Sequence, residues 1–229
     1  MLTLAIDTSS ESASIALLRD DDILSEIFIN LDVNHSVVLL PALHHLMRLS
    51  RLEPNEIDLF ACTIGPGSFT GLRVGASTVK GLALALGRPI AGVSTLEALA
   101  FNITGHEIPV CPMLDAKKEQ VYTALYRTGW DYTLEKIESE RVTDVRRFLE
   151  RIDGEVIFVG DGSVKYAGLI NDMLPGKSYF ASGCHQHVRA AVVAVLGKKK
   201  YFDGDVLDSV TVAPVYLRPS EAEMKRFSR

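Results

Sequence analysis

A two-lobed α/β fold, made from one mixed-sheet unit used twice, is predicted by three features of the sequence. First, a short apolar run ending in an aspartate turn occurs twice: Leu2–Ile6 leads into Asp7-Thr8-Ser9-Ser10, and Pro109–Leu114 leads into Asp115-Ala116. The two aspartates stand 108 positions apart. Second, each is followed at nearly the same offset by two further strand-like runs. Third, each half places a Gly-x-Gly-Ser turn, Gly65-Pro66-Gly67-Ser68 and Gly160-Asp161-Gly162-Ser163, between a buried strand and a helix. Antiparallel strands followed by alternating helices and strands give a mixed sheet with helices packed on it. Two such units face to face form the actin-like, ribonuclease-H-like (ASKHA) architecture with a central cleft.

Taken in order, Leu2–Ile6, Ala13–Leu18 and Ile23–Ile29 read as strands separated by polar turns. Val37–Leu49 has apolar residues at helical spacing. Ile57–Ile64 reads as a buried strand, and a helix runs through Leu72–Leu86. In the second half the strands are Pro109–Leu114, Val121–Tyr126, Trp130–Ile137 and Val156–Val159. Helices are predicted over Val145–Ile152, Val164–Met173 and Val188–Leu196. The lobes divide near Asn102–Glu107, giving units 1–104 and 105–229, with the C-terminal tail docking on the first lobe.

Composition excludes several classes. The chain has 229 residues with 24 Lys+Arg against 29 Asp+Glu, a formal charge of −5 that argues against a free-standing nucleic-acid binder. The longest strictly apolar run, Val37–Leu43, is far short of the ~18 residues a membrane span needs. No basic segment opens the chain as a signal peptide would. Cys62, Cys111 and Cys184 are isolated, which suits a reducing cytoplasm.

Asp7-Thr8-Ser9 and the Gly160–Gly162 turn suit a phosphate or adenosine, but equally suit plain turns. Neither turn contains Lys or Arg, so ATP or ADP with magnesium would bind only weakly there. Gly65–Arg73 is not a Walker A loop, because no Gly-Lys-Ser/Thr follows. It reads either as an anion-holding helix start or as a turn capped by Ser68 and Thr70. Cys184-His185-Gln186-His187 lacks a second ligand cluster for a metal, and Lys198–Lys200 reads as a solvated helix end.

The two helices of the first half look unlike ordinary surface helices. In Leu72–Leu86 only Arg73 and Lys80 are charged. At about 100° per residue, Leu39, Leu43 and Leu46 share the sheet-facing side of the first helix. Val37, Leu40, Pro41, His44 and Arg48 then point away. On the second helix Gly71, Gly75, Thr78, Val79, Leu82 and Leu86 should face the sheet, and Arg73, Ala76, Ser77, Lys80 and Leu84 should face out. This reads as a partner surface, or else as a layer buried within its own domain.

Four strings carry a resemblance: LAIDTSS (Leu4–Ser10), GPGSFTGLRVG (Gly65–Gly75), DAKKEQVY (Asp115–Tyr122) and PVYLR (Pro214–Arg218). Together they resemble the bacterial TsaB (YeaZ) family of tRNA threonylcarbamoyladenosine biosynthesis proteins, over Leu2 to about Arg218. The resemblance implies a noncatalytic partner of the paralogous transferase TsaD, acting with an ATPase, TsaE, to modify adenine beside the anticodon of tRNAs reading ANN codons. It implies a TsaD heterodimer, a homodimer when the chain is alone, contact with tRNA only through the complex, and no required cofactor. The transferases carry His-x-x-x-His where this chain has Thr95 and Leu99. Neither residue replaces a histidine ligand for a transition metal, so no metal site is expected. The competing reading is an ATP-dependent small-molecule kinase of the actin-like fold. A protease, suggested by the older family label "glycoprotease", lacks a nucleophile motif.

Overall fold

The computed structural model describes residues 1–31, 34–129 and 133–218. Its two five-stranded sheets have one topology. In the first, β1 (Leu2–Asp7) pairs antiparallel with β2 (Ala13–Arg19), which pairs antiparallel with β3 (Asp22–Ile29). On its other side β1 pairs parallel with β4 (Leu59–Gly65), and β4 with β5 (Ile90–Ser94). The second sheet repeats this with β6 (Val110–Asp115), β7 (Gln120–Thr128), β8 (Leu134–Asp144), β9 (Val156–Val159) and β10 (Ser178–Phe180). The duplication read from the sequence is thus present strand for strand, with Asp7 and Asp115 ending the equivalent strands β1 and β6. Trp130, the expected start of the last hairpin strand, lies outside the described residues.

Helices form five layers with the sheets. On the outer face of the first sheet lie α1 (His35–Ser50) and α2 (Phe69–Leu86). Each has a defined beginning and end. Asn34 caps α1 by accepting from the Ser36 N–H, and Ser68 caps α2 by accepting from Gly71 N–H. Gly87, at φ 62°, closes α2 in the left-handed conformation that glycine tolerates best. Thr70, expected as a second cap, lies inside the first turn.

The middle layer reverses the order of the chain. α3 (Thr95–Phe101), from the first half, packs on β6 and β7, whereas α7 (Ala190–Phe202), from the second half, packs on β1, β2, β4 and β5. The first sheet is built from strands before residue 95 and the second from strands after residue 109, but the helices between them cross over. Small residues permit it: a Cβ on Gly197 would stand 2.7 Å from Ala61 Cβ. The resulting core is shared, running from Ala5, Ala61 and Val93 through Leu96 and Val193 to Val110 and Tyr126. Glu26 of β3 ties the exchange down by accepting from Arg189 and from the Ala191 N–H at the start of α7.

The outer face of the second sheet carries short helices: α4 (Val145–Leu149), α5 (Asp161–Lys165) and α6 (Ala167–Met173). The single helix expected near Val164–Met173 starts earlier and breaks at Tyr166. β5, α3 and β10 have no counterpart in the sequence reading. Each is short, and β5 is an unbroken buried run that carries no period of its own.

Candidate functional site

The strings that carry the resemblance meet at one place. A cleft of about 740 Å3 opens between the ends of β1 and β6, lined by Ser9, Ser10, Glu11, His35, Ser68 and Phe69 on one side. Asp115, Lys117, Lys118, Tyr122 and Asp161 line the other, and Arg218 belongs to the tail. Val215 N–H donates to the Ile64 carbonyl at 2.6 Å, Tyr216 stacks on Phe69 with centroids 4.3 Å apart, and Arg73 Nε donates to Tyr216 Oη. Arg218 then reaches the Ala116 carbonyl and Gln120 Oε1. The tail therefore joins α2 of the first lobe to the β6–β7 turn of the second.

Of the expected nucleotide residues, only Ser9 lines this cleft. Asp7 is fully buried beneath it. Its Oδ1 accepts from Ser9 N–H, Ser9 Oγ and Thr63 Oγ1, while Oδ2 has no partner. Burial pushes its carboxyl above the usual carboxylate range, against the hydrogen bonds from Ser9 and Thr63. Thr8 is also buried, and its Oγ donates to the Gly71 carbonyl. Gly160 and Gly162 are packed against Met113, and their N–H groups go to Gln186 Oε1 and Asp161 Oδ1. The Cys184–His187 stretch is explained in part by Gln186, which turns inward to make that bond.

Asp115 behaves differently from Asp7. Burial pushes its carboxyl up, but hydrogen bonds from Lys165 at 2.8 Å and from Lys117 outweigh this and hold it below the usual range. Asp161 lines the cleft with its carboxyl raised by burial, although it accepts from Asp115 N–H and Gly162 N–H. The turn at Lys117, Lys118 and Glu119 has three successive positive φ angles, 61°, 54° and 59°, a conformation that non-glycine residues adopt at a cost. Nothing local in the sequence marks Lys117, Lys118, Asp161, Tyr216 and Arg218 as site residues. Their only sequence signal was membership of the DAKKEQVY, GDGS and PVYLR strings.

The glycines of GPGSFTGLRVG have a packing role. A Cβ at Gly67 would strike the Ser9 carbonyl, one at Gly71 the Thr8 carbonyl, and one at Gly75 the Thr8 Oγ at 2.5 Å. They let the first turns of α2 press on the Asp7 turn.

On α1, Val37, Leu40, Pro41, His44 and Arg48 are exposed, and Leu39, Leu43 and Leu46 are buried as expected. On α2, Arg73, Ser77, Lys80 and Leu84 are exposed, but Ala76 is 5 % exposed and does not face out. With Gly71 and Gly75 seated on Thr8, α2 is rolled so that Leu72, Ala76, Val79 and Ala83 form the buried stripe with them. Thr95 and Leu99, one turn apart on α3, are both fully buried within the inter-sheet layer. Leu99 packs against Gly160, and Thr95 Oγ has no partner. Among the described residues no three of His, Cys, Asp and Glu stand close enough together to hold a metal ion. Nor is any described helix long and apolar enough to cross a membrane.

Comparison with known proteins bears on this geometry. A family model described as "TsaD: tRNA N6-adenosine threonylcarbamoyltransferase" matches residues 22–225. The tRNA threonylcarbamoyladenosine biosynthesis protein TsaB of Bacillus subtilis (strain 168) is 35 % identical, covering 98 % of this chain and 97 % of its own. The chain belongs to the TsaB family. It therefore works in the formation of threonylcarbamoyladenosine in tRNA. The structure of YeaZ from Pseudomonas aeruginosa superposes with a TM-score of 0.79 at 27 % identity, covering 94 % of this chain and 99 % of that one. A ROK hexokinase from Thermus thermophilus shares the fold alone, at TM-score 0.51 and 11 % identity over 88 % of this chain and all of that one. The TsaB family's actin-like architecture is thus the one this chain adopts.

Proposed function

We propose that this chain is a noncatalytic subunit that binds a TsaD-like transferase through α1 and α2 and supports its transfer of the threonylcarbamoyl group to tRNA. The observation that carries this reading is the exposed apolar surface of those helices. Val37, Leu40 and Leu84 are 68 %, 56 % and 69 % exposed, on elements whose other faces are fully packed. A paralogous transferase would present equivalent helices, so a four-helix contact related by pseudo-two-fold symmetry fits the surface. The noncatalytic assignment is supported by α3. Thr95 and Leu99 stand where the transferases carry metal-binding histidines, and both point into packed core.

The cleft supports a minor role for nucleotide. The Gly160 and Gly162 N–H groups are already bonded, Lys117 and Lys165 are paired with Asp115, and Arg218 is engaged by the β6–β7 turn. These groups are already engaged, so ATP or ADP with magnesium would bind weakly. The ATPase TsaE and the tRNA would meet this chain within the complex, in the cytoplasm. The test is reconstitution. Transferase with TsaE should modify an ANN-decoding tRNA only when this chain is added, and the chain alone should neither modify tRNA nor hydrolyse ATP. Modification at the full rate without the chain, or ATP turnover by the chain alone, would refute the reading.

A further inference from the structure

The segment that follows α7 is fastened at intervals to the first lobe. Leu207 exchanges two backbone hydrogen bonds with Ile90 on the edge strand β5, at 2.9 and 2.7 Å. Val212 is buried in the core beneath α1 and α2. Val215 bonds to the Ile64 carbonyl, and glycine at position 65 makes room for it. A Cβ there would stand 2.5 Å from the Val215 carbonyl oxygen. Tyr216 completes the series, stacked on Phe69 and accepting from Arg73 Nε at 3.0 Å.

Two residues later the chain holds the other lobe. Leu217 packs against the core shared by the sheets. Arg218 Nη1 donates to the Ala116 carbonyl at 3.4 Å and to Gln120 Oε1 at 3.2 Å. These two acceptors bracket Lys117, Lys118 and Glu119, the run of left-handed residues in the β6–β7 turn. Such a run persists only where its surroundings over-determine it. Inside the turn, Ala116 N–H donates to the Gln120 carbonyl and Gln120 N–H to the Lys117 carbonyl. Arg218 adds a hold from outside, and its own footing is the stack on Phe69. The turn and Arg218 both line the cleft.

We propose that Tyr216, Leu217 and Arg218 form a latch across the cleft. Closed, it holds the left-handed turn in shape from an anchorage on the first lobe. Released, the turn relaxes and that wall of the cleft becomes mobile. The start of α2 and the β6–β7 turn are thereby one mechanical unit, although they belong to different lobes. The two grips are unequal. The first-lobe end has an aromatic stack and two shorter bonds, whereas the second-lobe end has two long bonds from one nitrogen to neutral oxygens. The latch therefore opens at Arg218 first.

Hydrogen–deuterium exchange of the full chain tests this, read at the Ala116 and Gln120 amides, with the Ala5 and Ile6 amides of β1 as the control for general loosening. Arg218→Ala should speed exchange in the turn at least about fivefold and leave β1 unchanged. Tyr216→Ala is the decisive variant, because its partners Phe69 and Arg73 both lie in the first lobe. It should speed the same turn amides by a similar factor. Tyr216→Phe keeps the stack and loses only the bond from Arg73, so it should act in the same direction by about twofold. Should Tyr216→Ala loosen β1 as well, the milder variant carries the comparison. Unchanged turn exchange in Arg218→Ala would overturn the latch. So would Tyr216 variants whose faster exchange is confined to Phe69–Arg73 and Val215, since the tail would then be packed on each lobe separately.

Discussion

The two lobes share a sheet and differ in what they lay over it. Outside the first sheet, α1 and α2 run for 16 and 18 residues and leave an apolar, acid-free surface. Outside the second, α4, α5 and α6 have 5, 5 and 7 residues, and Arg146, Arg147, Lys165 and Asp172 point outward. The Asp turns diverge in the same way. Asp7 is sealed and bonded to Ser9 and Thr63, whereas Asp115 holds two lysines at the cleft. Both Gly-x-Gly-Ser turns press on the strand end beside them, on Ser9 in one lobe and Met113 in the other. Duplication thus preserved the backbone arrangement that builds the sheet. Helix length and surface charge were free to change, because nothing in the sheet depends on them.

The largest expected effect breaks the symmetry of the outer faces. Leu40→Glu with Leu84→Glu buries unpaired carboxylates in the proposed interface, at about 3 kcal/mol or more, and should weaken transferase binding at least about a hundredfold. Val164→Glu, an equally exposed apolar position on α5, should leave binding unchanged in the same calorimetric titration. A charge at Ala76, which is buried, would disturb folding rather than association.

Next come the glycine contacts. Gly71→Ala drives a Cβ into the Thr8 carbonyl and should cost on the order of 3 kcal/mol in urea unfolding. Gly162→Ala, whose nearest atoms are Met113 C and O at 3.0 Å, should cost less. Equal losses would mean that the two turns are packed alike.

The aspartates should part company with pH. Asp7 has its pKa raised in the folded chain, so its stabilising neutral form is fully present below the unfolded value and is lost as pH rises. Asp7→Asn should therefore gain in melting temperature relative to wild type between about pH 4 and pH 7. Asp115 has its pKa lowered, so its contribution is present above the unfolded value and is lost as pH falls. Asp115→Asn should be destabilising at neutral pH and lose that effect in acid. Parallel melting curves for the two variants would contradict the contrast drawn between the turns. The smallest change expected is Gly81→Ala on exposed α2. No atom lies within 4 Å of its added Cβ, and helix propensity should raise stability by up to about 1 kcal/mol.

What was legible in the sequence had a local physical signature. Strands β1 to β4, β6, β7 and β9 announced themselves as apolar runs bounded by polar turns, and α1 showed its sheet-facing leucines through a 3.6-residue period; β8, at Leu134–Asp144 and largely charged and polar, lies later than the run Trp130–Ile137 suggests. The duplication was legible because the same order of runs and turns recurs at fixed spacing. The exposed side of α1 followed from the same period, since what is not on the packed stripe must face outward. α2 is where that logic failed. Its residues are small on every side, so no stripe stands out, and its roll is set by Gly71 and Gly75 meeting Thr8, more than sixty positions away in the chain. The same limit hid the crossover of α3 and α7, because a helix of Ala, Val and Gly fits either sheet and only the assembled layers choose. It also hid the fate of the cleft. Asp7 and Asp115 look alike as turn residues; which is buried alone and which meets Lys165 depends on long-range neighbours. Periodicity reports a residue's own element, whereas burial and charge pairing belong to whatever the fold brings against it.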